Sequence, residues 1–163
     1  SLELAGIAGG KVGDHGSLPL GPLRLAATGI DGDELADHID DVLSQITMPP
    51  FDLVLRRTGF FNERQLARVL WAGVEDDSAL RKLYGKIQHG LGVIGIEAEH
   101  RRYHPHVTLA RLNGISALEA EGYAARYSEY ASPPFTVDRF CLYSSHLARD
   151  GAIHTLEADY VLD

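Results

Sequence analysis

A histidine and a threonine two residues apart are the most chemically suggestive feature of this sequence. His106 and Thr108 lie in a polar and aromatic stretch, RRYHPHVTLARL, that runs from Arg101 to Leu112. After Pro105 the pattern alternates as in a β-strand, so both side chains should project from one face. An imidazole that moves a proton, beside a hydroxyl that donates to a phosphoryl oxygen, can hold and activate a phosphate ester. The commoner origin of such a pair is a surface strand in which both residues have only structural roles.

The elements that must position this pair are visible in the hydrophobic pattern. Apolar residues at helical spacing predict three helices, and alternating or continuous apolar runs predict strands. The predicted helices are 33–46, 77–91 and 117–130. The predicted strands are 22–27, 51–57, 69–75, 106–112, 135–144 and 153–162. Together these elements predict an α+β fold with the His-x-Thr pair on a strand.

An internal repeat organises these elements. The segments PPFDLVLRR and PPFTVDRF begin at Pro49 and Pro133, which are 84 residues apart. The same offset carries the helix 33–46 onto the helix 117–130, and it aligns two later apolar runs, VLWAGV and IHTLEADYVL. Three elements that match at one offset predict two copies of an αβ unit. We therefore expect residues 1–163 to form a single bilobal domain.

The first copy looks incomplete at its start. In the second copy, a strand (69–75) and a helix (77–91) precede the motif strand, and their counterparts would begin before residue 1. The repeat therefore predicts that the opening strand and part of the next helix are missing. The sheet edge near 51–57 should then be covered by the segment 1–20 or by self-association with another molecule.

The sequence around the motif resembles the 2H phosphoesterase superfamily. The matching segments are PPFDLVLRRTGFF, RVLWAGV, PHVTLAR and PPFTVDRFCLYSS, and the resemblance extends from about residue 30 to residue 163. Within the superfamily, the chain is most similar to bacterial RNA 2′,3′-cyclic phosphodiesterases, historically called 2′-5′ RNA ligases. The resemblance implies two lobes related by a pseudo-twofold axis, with antiparallel sheets lining a central cleft and helices outside.

The resemblance also implies an activity, the hydrolysis of 2′,3′-cyclic phosphate RNA ends to 2′-phosphates. This reaction needs a base that activates water and an acid that protonates the leaving ribose oxygen, on opposite sides of phosphorus. The family supplies both groups from one His-x-Thr/Ser strand in each lobe, without a metal or a cofactor. His106 and Thr108 match the second of these motifs, with His106 as the base.

The first of the two motifs is absent from this chain. At the offset of 84 residues, His106 falls on Pro22 and Thr108 falls on Arg24, within the segment GPLRLAATG. A proline cannot move a proton, and His15 lies seven residues earlier in a glycine-rich stretch. The alternative interpretation is therefore a catalytically impaired module of the same fold that binds nucleotides or RNA ends.

Four further side chains are candidates for substrate binding. Tyr103 matches an aromatic position before the family motif and could stack on a base. His104 could share the face of His106, although a position on the rim is the alternative. Arg111 matches the motif arginine of the family, but strict alternation turns it away from His106, so a structural ion pair is equally plausible. Arg68, just before VLWAGV, could also approach the cleft.

Composition limits the partners and the compartment. The formal net charge is −8, whereas proteins that bind long duplexes usually carry a basic excess. We therefore expect RNA ends or cyclic nucleotides as partners rather than long duplex nucleic acid. The sequence contains neither a membrane span nor a recognisable signal peptide. The single cysteine, Cys141, is expected to be a buried thiol in a reducing, cytoplasmic compartment, and Trp71 is expected in the core.

Overall fold

The computed structural model describes residues 2–8, 18–23, 32–97, 102–149 and 151–163. Within these ranges the helices are α1 (Gly32–Ser44), α2 (Ser78–Val93) and α3 (Ala117–Arg126). The first four strands are β1 (Leu2–Ala8), β2 (Leu18–Leu23), β3 (Phe51–Leu53) and β4 (Leu55–Glu63). The last four are β5 (Leu66–Val74), β6 (His106–Arg111), β7 (Phe135–Ala148) and β8 (Gly151–Val161). No helix in the described ranges has the length and apolar character that crossing a membrane requires.

The strands form two antiparallel sheets. In the five-stranded sheet, β7 pairs with β8 along one edge, and with β1 and β3 placed end to end along the other. β2 pairs with β1 and is the outermost strand on that side. The second sheet has the order β4-β5-β6, so the motif strand β6 is also outermost. β2 and β6 approach each other with Cα atoms within 8 Å, so the motif strand lies where the two sheets meet.

Strand β1 corrects the expectation that the first half lacks its opening strand. β1 pairs with β2 just as β5 pairs with the motif strand β6. Residues 2–8 therefore form a strand where the repeat predicted the end of a helix. β1 also pairs with the edge of β7 beside β3, which is one of the two ways in which that edge was expected to be covered. Self-association stays a prediction.

The core lies between the helix pair α1–α2 and one face of the five-stranded sheet. The apolar side chains of each helix recur at intervals of three or four residues and are almost fully buried, so each contributes roughly 1.5–3 kcal/mol. On α1 and α2 they are Leu35, Ile39, Leu43, Leu80, Leu83, Ile87 and Leu91. The two helices approach closely at Gly90, where a Cβ would lie 2.6 Å from Cγ1 of Val42. Val107 of β6 packs against the same core and anchors the motif strand.

Two predicted elements differ in extent from the structure. The predicted strand 51–57 is split at Val54, and β4 continues to Glu63 to form a hairpin with β5. The hairpin turn includes Arg64, whose φ is 57°, a conformation that a sequence without a turn glycine does not announce. Helix α3 ends at Arg126 rather than residue 130.

The start of α3 is set by a capping box at Ser116 and Glu119. The Ser116 hydroxyl accepts from the Glu119 amide at 3.2 Å, and the Ser116 amide donates to the Glu119 carboxylate at 3.0 Å. These reciprocal bonds satisfy two amides that the first turn of a helix leaves without partners. The helix then covers β4, where Thr58 donates to the carbonyl oxygen of Ala124 at 3.4 Å.

Candidate functional site

The register of β5 and β6 places His106 and Thr108 on one face of the three-stranded sheet. His106 lies opposite Gly73 and Thr108 lies opposite Trp71, and residues paired across strands share a face. Val107 projects to the other face, towards the core. His106 is half-buried and Thr108 is exposed, so both can be reached by a ligand. This open face of β4, β5 and β6 is called the motif face below.

A β-bulge corrects the expected orientation of Arg111. The pairing of β5 with β6 shifts register between Leu70 and Trp71, which leaves Leu109 without a partner. Beyond this bulge Arg111 lies opposite Val69, two residues from Trp71 and therefore on the motif face. Arg111 is exposed, and no ion pair involves it within the described part of the chain. It is thus placed beside the motif rather than in a structural ion pair.

The imidazole of His106 is oriented by the chain that precedes it. Its Nδ1 lies 2.7 Å from the carbonyl oxygen of His104. Because a carbonyl oxygen can only accept, Nδ1 must carry the hydrogen, and Nε2 is left as the unprotonated atom of the neutral ring. The ring also meets Phe61 edge to face, with centroids 4.9 Å apart and planes at 87°. His106 therefore presents Nε2 as the atom that can exchange a proton.

His104 joins His106 on the motif face. Its ring packs edge to face on Phe61, at 5.4 Å, and on Trp71, at 5.0 Å. The centroids of the His104 and His106 rings are 6.1 Å apart. Burial, followed by the nearby charge of His106, lowers the pKa of His104 below its ordinary value. Pro105 therefore does not turn His104 away, and the expectation that both histidines share a side agrees with this geometry.

Trp71 lies on the motif face, so the expectation that it belongs to the core is wrong. Its ring contacts Phe61, at 5.6 Å, and His104, and it lies across Gly59 of the neighbouring strand. A Cβ at Gly59 would fall 2.3 Å from the indole carbons, so only glycine leaves room for the ring. The indole supports one side of the histidine pair.

Tyr103 and Arg68 are not brought to the motif. Tyr103 stacks on Tyr84 of α2 at 4.2 Å, with planes 5° apart, and packs against the core, and this burial raises the pKa of its hydroxyl. Its ring is therefore not free to stack on a base. Arg68 pairs with Glu63 at 3.1 Å, five residues along β5 from Gly73, which corresponds to about 16 Å in a strand. Both expectations of substrate contact are corrected.

The first half brings Pro22 to the junction of the sheets but no described histidine. Pro22 lies in β2 and is paired with Glu3 of β1, and β2 is the strand that approaches β6. The other candidates in this half, His15 and Arg24, lie outside the described residues. The strand that would carry the first motif therefore meets the second motif strand, with a proline in place of the histidine.

Cys141 and the acidic groups have no place in this site. Cys141 is buried in β7, as expected, and burial raises its pKa to about 11, so its thiol is protonated at neutral pH. Within the described ranges, no group of three or more His, Cys, Asp and Glu side chains is arranged to hold a metal ion. The side chains that can act on a ligand there are imidazoles, a hydroxyl and a guanidinium.

An antiparallel α+β fold with a His-x-Thr strand where two sheets meet defines the class of 2H phosphoesterases. The model of the 2′-5′ RNA ligase superfamily matches residues 18–149. The chain belongs to this superfamily, and the resemblance noted in the sequence is confirmed.

Curated relatives point to the same family. The chain is 31% identical over 123 residues to an RNA 2′,3′-cyclic phosphodiesterase of Thermotoga maritima, covering 74% of this chain and 62% of the relative. It is 31% identical over 110 residues to one of Geobacillus stearothermophilus, covering 67% of this chain and 34% of that protein. An Archaeoglobus fulgidus protein of the same name is 27% identical over 152 residues, covering 93% and 84%. The chain thus spans about one third to two thirds of the first two relatives.

Solved structures show the same fold. E. coli LigT complexed with 3′-AMP superposes with a TM-score of 0.68 at 23% identity, covering 99% of this chain and 97% of that chain. The apo form of E. coli LigT gives a TM-score of 0.70 at 20% identity, covering 99% and 96%. The fold is therefore LigT-like.

Proposed function

We propose that this chain hydrolyses 2′,3′-cyclic phosphates on RNA ends to 2′-phosphates, at a site that needs no metal. The observation that carries the proposal is the common face of His106, Thr108 and Arg111 on β6. A proton carrier, a hydroxyl donor and a cation on one face are the groups that a cyclic phosphate diester requires.

Each of the three side chains has a distinct role. The Thr108 hydroxyl donates to a non-bridging oxygen of the phosphate. The Arg111 guanidinium balances the charge that develops on the phosphoryl oxygens, as preorganised donors do in other transfer reactions. The Nε2 atom of His106 exchanges the proton, because Nδ1 is held by the carbonyl of His104.

The names of similar proteins support this choice of substrate. The relatives quoted above are RNA 2′,3′-cyclic phosphodiesterases. LigT has been crystallised with 3′-AMP and with phosphate, which are chemically close to the product end of such a reaction. These matches favour RNA ends and cyclic nucleotides as the partners of this chain.

A binding module of the same fold is the second candidate. It is favoured by Pro22, which occupies the strand opposite the motif and cannot exchange a proton. Such a module would hold the phosphate with Thr108 and Arg111 without turning it over. The two candidates differ in turnover and agree in binding.

The test is turnover of 2′,3′-cyclic AMP and of an RNA oligonucleotide with a 2′,3′-cyclic end, in the presence of EDTA. We expect a 2′-phosphate product, identified by 31P NMR, and a loss of at least about a hundredfold on His106→Ala. His38→Ala is the matched control, because His38 is exposed on α1. Binding of 2′-AMP without turnover would establish the module instead. Neither binding nor turnover would reject both candidates, and turnover that EDTA abolishes would reject a metal-free site.

A further inference from the structure

We propose that His104 is the second proton carrier of this site and takes the place of the histidine that the first half lacks. The inference rests on the proposed hydrolytic function. It assigns both proton transfers to one segment of the chain, residues 104–106, rather than to two symmetric strands.

The geometry of the two imidazoles is the first argument. Their centroids are 6.1 Å apart, and both rings meet Phe61 edge to face, at 5.4 Å and 4.9 Å. Trp71 packs on His104 from a further side. Because each ring rests on aromatic neighbours, both are held side by side on the motif face.

This spacing suits a phosphate that lies across the pair. Hydrogen bonds of about 2.8 Å from one nitrogen of each ring reach two oxygens that converge on a phosphorus between them. Those two oxygens correspond to the attacking water and the leaving ribose oxygen of an in-line displacement. A single imidazole cannot serve both oxygens, because they leave phosphorus in opposite directions.

The charges around His104 decide which ring is the base. Burial lowers the pKa of His104 most, and the charges of His106, Arg81 and Arg102 lower it further, against a smaller opposite effect of Asp77. When the pair carries one proton, that proton therefore resides on His106, and His104 is neutral. A neutral imidazole can accept a proton from water, and a protonated Nε2 can donate one.

The chemical step then balances. The water oxygen bonds to phosphorus while the bond between phosphorus and O3′ breaks. A ring nitrogen of His104 takes the proton from water, and Nε2 of His106 gives its proton to O3′. The products are a 2′-phosphate and a free 3′-hydroxyl, and transfer through solvent from His104 to His106 restores the pair. This assignment reverses the role of base that the family resemblance implied for His106.

The variants His104→Gln and His104→Gly test the inference without disturbing His106. Both retain the backbone carbonyl that accepts from Nδ1 of His106. With 2′,3′-cyclic AMP we expect kcat to fall at least about a hundredfold, with little change in the affinity for 2′-AMP. Free imidazole should restore turnover to His104→Gly, since it can occupy the vacated space and carry the proton.

The pH profile provides a readout that a structural role would not move. Because the pKa of His104 lies below the ordinary 6.5, kcat of the unaltered chain should fall as the pH drops below that value and His104 becomes protonated. His104→Gln should lose this acidic limb, whereas His38→Gln and His15→Gln should keep it. His38 is exposed on α1, and His15 is the competing histidine of the first half.

The outcomes separate this inference from the proposed function. An unaltered chain without turnover rejects the function, and the role of His104 falls with it. Turnover that requires His106 but survives His104→Gln with its acidic limb intact rejects only the role of His104. A loss on His15→Gln instead of His104→Gln assigns the second proton transfer to His15.

Discussion

At the scale of single residues, Arg111 shows how little of a side chain's role depends on its distance along the sequence. It is three residues from Thr108, yet the bulge at Leu109 returns it to the motif face. A guanidinium there can form two parallel hydrogen bonds with the oxygens of one phosphate, whereas an ammonium acts as a point charge.

Arg111→Ala should therefore weaken the binding of 2′-AMP by about ten- to a hundredfold, as expected for a lost hydrogen bond to a charged group. Arg111→Lys should recover only part of the affinity, because it restores the charge without the fork of donors. Calorimetric titration measures both variants. Arg64→Ala is the control, since Arg64 is an exposed arginine in the hairpin turn. Equal losses in the two alanine variants would mean that charge alone attracts the ligand.

The same residues show what the sequence can and cannot predict at this scale. The common face of His106 and Thr108 follows from alternation and is predictable. The orientation of Arg111 depends on a bulge in the pairing of two strands, which no local pattern announces. Tyr103 was expected at the substrate because a sequence does not show that Tyr84, on another element, would stack on it.

At the scale of elements, the hairpin of β4 and β5 forms the platform on which both histidines rest. Phe61 comes from β4 and Trp71 from β5, and Gly59 leaves the space that the indole fills. The beginning and end of this hairpin were not predicted, because its turn has no glycine signal. The predicted helices agree in position because their buried stripes depend only on local spacing.

Gly59→Ala should displace the indole, because the new methyl group would overlap it at 2.3 Å. We expect about 1–3 kcal/mol of destabilisation from overpacking, together with a shift in fluorescence from Trp71, the only tryptophan. Turnover should fall too, since Trp71 supports His104. Gly85→Ala is the control, because nothing lies within 4 Å of a Cβ there, and alanine favours a helix. Unchanged fluorescence and melting temperature in Gly59→Ala would contradict this packing.

At the scale of the whole molecule, the repeat predicted two related halves, and the structure shows that they are related in strand pairing more closely than in length. β1 and β2 pair as β5 and β6 do, but residues 9–17 connect the first pair, whereas residues 75–105, which contain α2, connect the second. A constant offset of 84 residues cannot represent such a difference, which is why β1 was not predicted. The relation between β2 and β6 nevertheless survives, and it suggests where a second histidine could be restored.

Pro22→His with Arg24→Thr should rescue the variant His104→Gln. β2 is the strand that meets β6, so a histidine at position 22 would supply the proton carrier from the opposite side, as the family arrangement implies. We expect kcat for 2′,3′-cyclic AMP to recover at least about tenfold relative to His104→Gln alone. Leu23→His with Arg24→Thr is the matched control, because the next residue of a strand projects from the other face. Rescue by the control as well would show that β2 does not present alternate residues to the site in this way. Absence of rescue in a variant that keeps its melting temperature would show that the first half cannot deliver a histidine to the phosphate, and that the site depends on residues 104–106.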